Sequence, residues 1–106
     1  MGGRNSILNE LKLFKRKVSK DVPVEKMILF GSRAKGKTHE WSDFDLIIVS
    51  DKFKGIISFK RGSLLCDFWD YNYPVDFLCY TPKEFNRLKK RATIVNQAVK
   101  EGIEIK

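Results

Sequence analysis

Apolar residues follow two rhythms along the chain. Between Ser6 and about Ser19, Ile7, Leu8, Leu11, Phe14 and Val18 recur at helical spacing with lysines among them, which predicts an amphipathic helix. Asp21-Val22-Pro23 stops it, because the residue before proline is pushed out of helical geometry. Met27–Phe30 is a short apolar run closed by Gly31, and Asp43–Ser50 holds Phe44 and the run Leu46–Val49; both predict strands. The polar stretch Arg33–Trp41 between them reads as a short helix or turn followed by a loop, and Asp51–Gly55 as a turn. From Ile56 or Ile57 to about Tyr71 a helix is expected, turning Ile57, Leu64, Leu65, Phe68 and Trp69 inward. Pro74–Tyr80 reads as a third strand. Thr81-Pro82-Lys83-Glu84 then combines an N-cap, a first-turn proline and a capping-box glutamate. Phe85, Leu88, Ala92, Val95 and Val99 extend one helical stripe to about Lys100, Gly102 ends it, and Ile103–Ile105 adds an edge strand. Helices alternating with strands predict an α/β sandwich.

Composition narrows the class. The 106 residues suit one domain, 1–106. Hydrophobic residues make up 42% and charged residues 32%, which fits a folded chain and excludes a disordered polyelectrolyte. Lys and Arg outnumber Asp and Glu by 21 to 13, so the +8 surface favours polyanions: nucleic acid, nucleotide phosphates, an acidic membrane or an acidic protein. No apolar run approaches the roughly 20 residues of a membrane helix, and no secretory leader is expected. Cys66 and Cys79 are too few for a disulfide framework. Both sit among apolar residues and are expected as buried free thiols in a reducing cytoplasm.

Carboxylates stand where a purely structural strand would avoid them. Asp43 and Asp45 open the second strand two residues apart, so both project from one face while Phe44 points the other way. Asp76 lies inside the third strand between apolar neighbours, where burial would penalise its charge. Three such groups on adjacent strands call for a divalent ion, and hard oxygen ligands suit Mg²⁺ or Mn²⁺. Each residue also has a plain structural reading: Ser42 with Asp45 fits a helix cap, Asp43 fits a turn, and Asp76 fits a salt bridge. Upstream, the first strand ends in Phe30-Gly31-Ser32. Glycine permits close backbone approach to a ligand, Ser32 offers a hydroxyl and an N–H, and Arg33, Lys35 and Lys37 supply cations. Neither the Rossmann nor the P-loop pattern is present.

Gly31-Ser32, ten intervening residues, and Asp43-Phe44-Asp45 resemble the signature of the DNA polymerase β-like nucleotidyltransferase superfamily. Gly-Ser-Arg-Ala-Lys-Gly and Ser-Asp-Phe-Asp-Leu are especially similar to its minimal branch, and Val75-Asp76-Phe77 falls where that family places its third carboxylate. The resemblance covers about Lys26 to Glu84 and implies a small mixed sheet flanked by helices, like the polymerase β palm. Lys35 stands where many members have Arg, keeping the charge but losing the bidentate fork.

That resemblance implies transfer of AMP from ATP to an acceptor hydroxyl. Asp43, Asp45 and Asp76 would be catalytic and would hold two Mg²⁺ ions, with Mn²⁺ an alternative; Asp76 would also be the general base. Gly31, Ser32, Arg33 and Lys35 would bind the nucleotide. Minimal members are typically found with a helical HEPN-domain protein, often as a toxin–antitoxin pair, so the expected acceptor is such a partner. Two other readings stay open: a non-catalytic nucleotide-binding partner module, and an RNA-modifying subunit using the basic surface. His39 reads as a solvated loop residue or a substrate contact. Trp69, Tyr71 and Tyr73 read as core or as base-stacking groups.

Overall fold

The computed structural model describes residues 4–31, 44–71 and 73–106. Helix α1 (Arg4–Ser19) leads to β1 (Lys26–Phe30) and β2 (Phe44–Val49). A single 3-10 turn (Asp51–Phe53), two one-turn helices, α2 (Ser58–Arg61) and α3 (Ser63–Cys66), and strand β3 (Val75–Tyr80) follow. The chain continues through α4 (Pro82–Leu88), α5 (Ile94–Glu101) and a short β4 (Ile103–Glu104). The strands lie in the order β3-β2-β1-β4, with β2 and β3 parallel and the other pairs antiparallel. This is the mixed α/β arrangement expected. No helix among the described residues is long and apolar enough to cross a membrane.

Alternation along the strands sends side chains to two cores. Leu11, Phe14 and Val18 of α1 pack with Met27, Leu29, Phe44, Leu46 and Ile48 on one face of the sheet. Ile28, Phe30, Ile47 and Val49 meet Phe85, Val95 and Ala98 of α4 and α5 on the other. Trp69 joins the first core edge-on to Phe14, with centroids 5.1 Å apart, and to Tyr71 at 4.8 Å. The Tyr71 hydroxyl donates to the Glu10 carbonyl, and the Trp69 indole N–H to the Tyr73 carbonyl. These two aromatics therefore brace α1 against the sheet, while Tyr73 sits at the exposed rim against Phe44.

Three sequence expectations are corrected. The helix expected from Ile57 to Tyr71 is two single turns around Gly62, whose missing side chain weakens helix continuity; the Ser63 hydroxyl takes the Lys60 carbonyl, and the chain then tightens into i→i−3 bonds at Phe68 and Trp69. Ile57 and Leu64, expected inside, are exposed. The helix expected from Pro82 to Lys100 is also two helices. Thr93 caps the second by accepting from the Asn96 N–H, while Thr93 Oγ and Asn96 Nδ2 donate to the Leu88 and Lys89 carbonyls at the end of the first. Val99 then lies exposed. Finally, Cys66 is exposed; only Cys79 is buried, and burial pushes its thiol pKa up to about 12.

A half-buried ion pair closes the far end of β3. The Arg61 guanidinium, buried after the 3-10 turn, forks onto both carboxylate oxygens of Glu84 at 2.6 and 3.2 Å and also donates to the Cys79 carbonyl at 3.1 Å. That same glutamate completes the Thr81 capping box. The hydrogen bond to Glu84 raises the Arg61 pKa, and the reciprocal bond holds the Glu84 carboxyl below its ordinary range.

Candidate functional site

The carboxylates arise from the strand register. Phe44 turns into the α1 core, so Asp45 projects from the opposite face, beside Ile47 and Val49 in chain and direction. Asp45 and Asp76 are Cα partners across the parallel β2–β3 ladder. Partners in register share a face, and neighbouring strands lie about 4.8 Å apart, so two acidic side chains stand shoulder to shoulder. Like charges placed this way repel. Asp45 is half-buried and Asp76 exposed, which corrects the expectation of a carboxylate held inside the strand core. Adjacency rather than burial is what favours a cation here.

Gly31 completes this corner. It follows Phe30, whose Cα partner is Asp45, and turns the chain with φ of 77°, a left-handed conformation that side chains rarely adopt. A Cβ built there would stand 2.5 Å from Asp45 Oδ2. The backbone thus approaches the carboxylate as closely as only glycine permits. Beyond it lies a cleft of about 220 Å³ lined by Phe30, Gly31, Ile94, Gln97, Ala98 and Glu101. Sequence reading missed this wall, because α5 reads as a packing stripe. The available signal was Gln97 and Glu101, four residues apart on one helical face.

Of the expected site residues, the structure brings together Gly31, Asp45 and Asp76. Ser32, Arg33, Lys35 and Asp43, with His39, lie outside the described residues. Among the described residues no three His, Cys, Asp or Glu side chains gather as a metal site. The two adjacent carboxylates nevertheless have the right chemistry for a hard divalent cation, which would relieve their repulsion and is normally completed by water and substrate phosphate.

Comparison with known proteins gives three similarities. The family model described as a nucleotidyltransferase domain matches residues 11–105. A Haemophilus influenzae protein carried under the name protein adenylyltransferase MntA is 29% identical over 97 residues, covering 90% of this chain and 85% of that relative. A crystal structure from Sulfolobus solfataricus described as a nucleotidyltransferase superposes with a TM-score of 0.67 at 25% identity, covering 95% of this chain and 80% of that one.

Proposed function

Because the chain belongs to the nucleotidyltransferase domain family, we propose that it transfers AMP from ATP to a hydroxyl of a helical HEPN-type partner protein, forming with it a cytoplasmic toxin–antitoxin pair. It is a transferase enzyme. The observation that carries the finer reading is the in-register Asp45–Asp76 pair, with the Gly31 backbone against Asp45. The name of the Haemophilus relative supports adenylyl transfer to protein.

In this reading Asp43, Asp45 and Asp76 would hold Mg²⁺ or Mn²⁺, which would supply charge neutralisation at the triphosphate and lower the pKa of the acceptor hydroxyl. Gly31 and Ser32 offer backbone to the phosphates, and Arg33 and Lys35 add positive charge. The acceptor oxygen attacks the α-phosphorus. The bond from that phosphorus to the β-phosphate oxygen breaks, and pyrophosphate leaves with the bonding electrons. The hydroxyl proton passes to the Asp76 carboxylate, whose exposure leaves it within reach of an incoming acceptor. Positioning and electrostatics do most of the work in such a transfer.

The test is incubation with ATP, Mg²⁺ and the protein that co-purifies with the chain, followed by intact mass. An AMP adduct on the partner, lost in Asp45→Asn, is expected. A stable but unmodified complex would favour a non-catalytic partner module.

A further inference from the structure

The outer side of β3 is an open sheet edge that begins beside Asp76. Phe44 N–H donates to the Pro74 carbonyl and Ser50 N–H to the Tyr80 carbonyl, so the even-numbered residues of β3 bond β2 and the backbones of Val75, Phe77 and Cys79 face away from the sheet. Arg61 takes the Cys79 carbonyl. Among the described residues nothing bonds the outward groups of Val75 and Phe77. A groove of about 430 Å³ follows this edge, lined by all four residues Phe77–Tyr80 together with Phe59, Arg87 and Leu88. Consecutive strand residues alternate sides, so only an opening along the edge meets four in a row. Phe59 is 79% exposed, and Ile57 and Leu64 beside it in sequence are exposed too. The acid of the groove, Glu84, is already paired with Arg61, which leaves Arg87 as the remaining charge among its described lining residues.

We propose that this edge receives the acceptor as an extended, acidic segment of the partner protein, paired along β3 so that a hydroxyl residue lies opposite Asp76. The inference rests on the transfer reading above and names how its acceptor is held. Free backbone donors and acceptors select an extended chain. A residue opposite Asp76 shares its face, with Cβ atoms about 5 Å apart, and so brings its hydroxyl to the two carboxylates. The next same-face positions meet Leu78 and Tyr80, where an apolar side chain packs against Leu88 and an acidic one meets Arg87. Arg61, by occupying the Cys79 carbonyl, ends the ladder and fixes how far the segment can pair.

The probe is a short fluorescent peptide of β-branched residues with tyrosine, leucine and glutamate at alternate positions. A second peptide has lysine for the glutamate. Binding is read by anisotropy without ATP. The glutamate peptide should bind about tenfold tighter than the lysine peptide, and Arg87→Glu should reverse that preference. Val75→Pro removes one outward N–H and should weaken binding about tenfold. Amide exchange in the unaltered protein gives a reading independent of that variant's stability: the Phe77 amide should slow when peptide binds. Equal binding of both peptides, or protection that falls away from Phe77 and Cys79, overturns the proposal. Pyrophosphate release from ATP by the unaltered protein is followed separately. If release is absent with every acceptor, the transfer reading falls and this inference with it; if release occurs but peptides ignore the edge, only this inference falls.

Discussion

Two charged pairs sit along β3, one near each end. Arg61 and Glu84 join opposite charges in a bidentate contact, with the arginine side chain only 7% exposed. Asp45 and Asp76 set like charges in register on adjacent strands, one half-buried and one open to solvent. The first pair satisfies itself: each partner shifts the other toward its charged form, and the spare guanidinium donor closes a strand carbonyl. The second pair sets two negative charges side by side, an arrangement that favours a hard cation. Opposite charges paired within the fold serve stability, whereas like charges set in register mark a place where a cation is favoured.

Substitutions at the two ends should therefore have opposite signatures. Asp45→Asn should cut pyrophosphate release at least about a hundredfold, as loss of a central electrostatic group typically does. Asp76→Asn should slow turnover more than it weakens ATP binding. Removing one of two like charges should leave its urea midpoint unchanged or raise stability by about 0.2–1 kcal/mol. A large loss of stability in Asp76→Asn would erase the distinction. Glu84→Gln should instead cost about 2–4 kcal/mol in urea unfolding, because it strands a buried guanidinium and weakens the capping box. The double variant Arg61→Met/Glu84→Gln should recover part of that loss.

Gly31→Ala joins the two effects. It should cost about 1–2 kcal/mol for the left-handed backbone and lower transfer as well, because its methyl group displaces the Asp45 carboxylate. Acid offers a finer comparison. The folded pKa of Glu84 lies below its ordinary value of 4.5, so its stabilisation is fully present above that pH and is lost as pH falls through the lowered folded value. The stability gap between the unaltered protein and Glu84→Gln should shrink over that acid range. The smallest effect concerns the thiols: a maleimide should label Cys66 in the native protein, and Cys79, buried and shifted to about 12, only after unfolding.

The strands and the first helix were legible because their apolar residues keep a single period. So was the capping box at Thr81, which is local chemistry. The middle of the chain was not. Leu64 and Leu65 look equivalent in sequence, yet one is exposed and the other wholly buried, since two short helices present different faces from one long one. Thr93 likewise lies within the span expected as one helix, yet its hydroxyl serves both of the helices that form there.

The sequence by itself determined the element types, the pairing of Gly31 with a following acidic strand, and the family to which that pattern is similar, because each depends on residues close in the chain. Only the tertiary structure decided that Asp76 stands opposite Asp45, that Arg61 reaches Glu84 across 23 positions, and that β3 ends the sheet with an open edge. Those facts depend on register and strand order. Both are set by how two cores fill on opposite faces of the sheet, a long-range packing outcome that no local periodicity encodes.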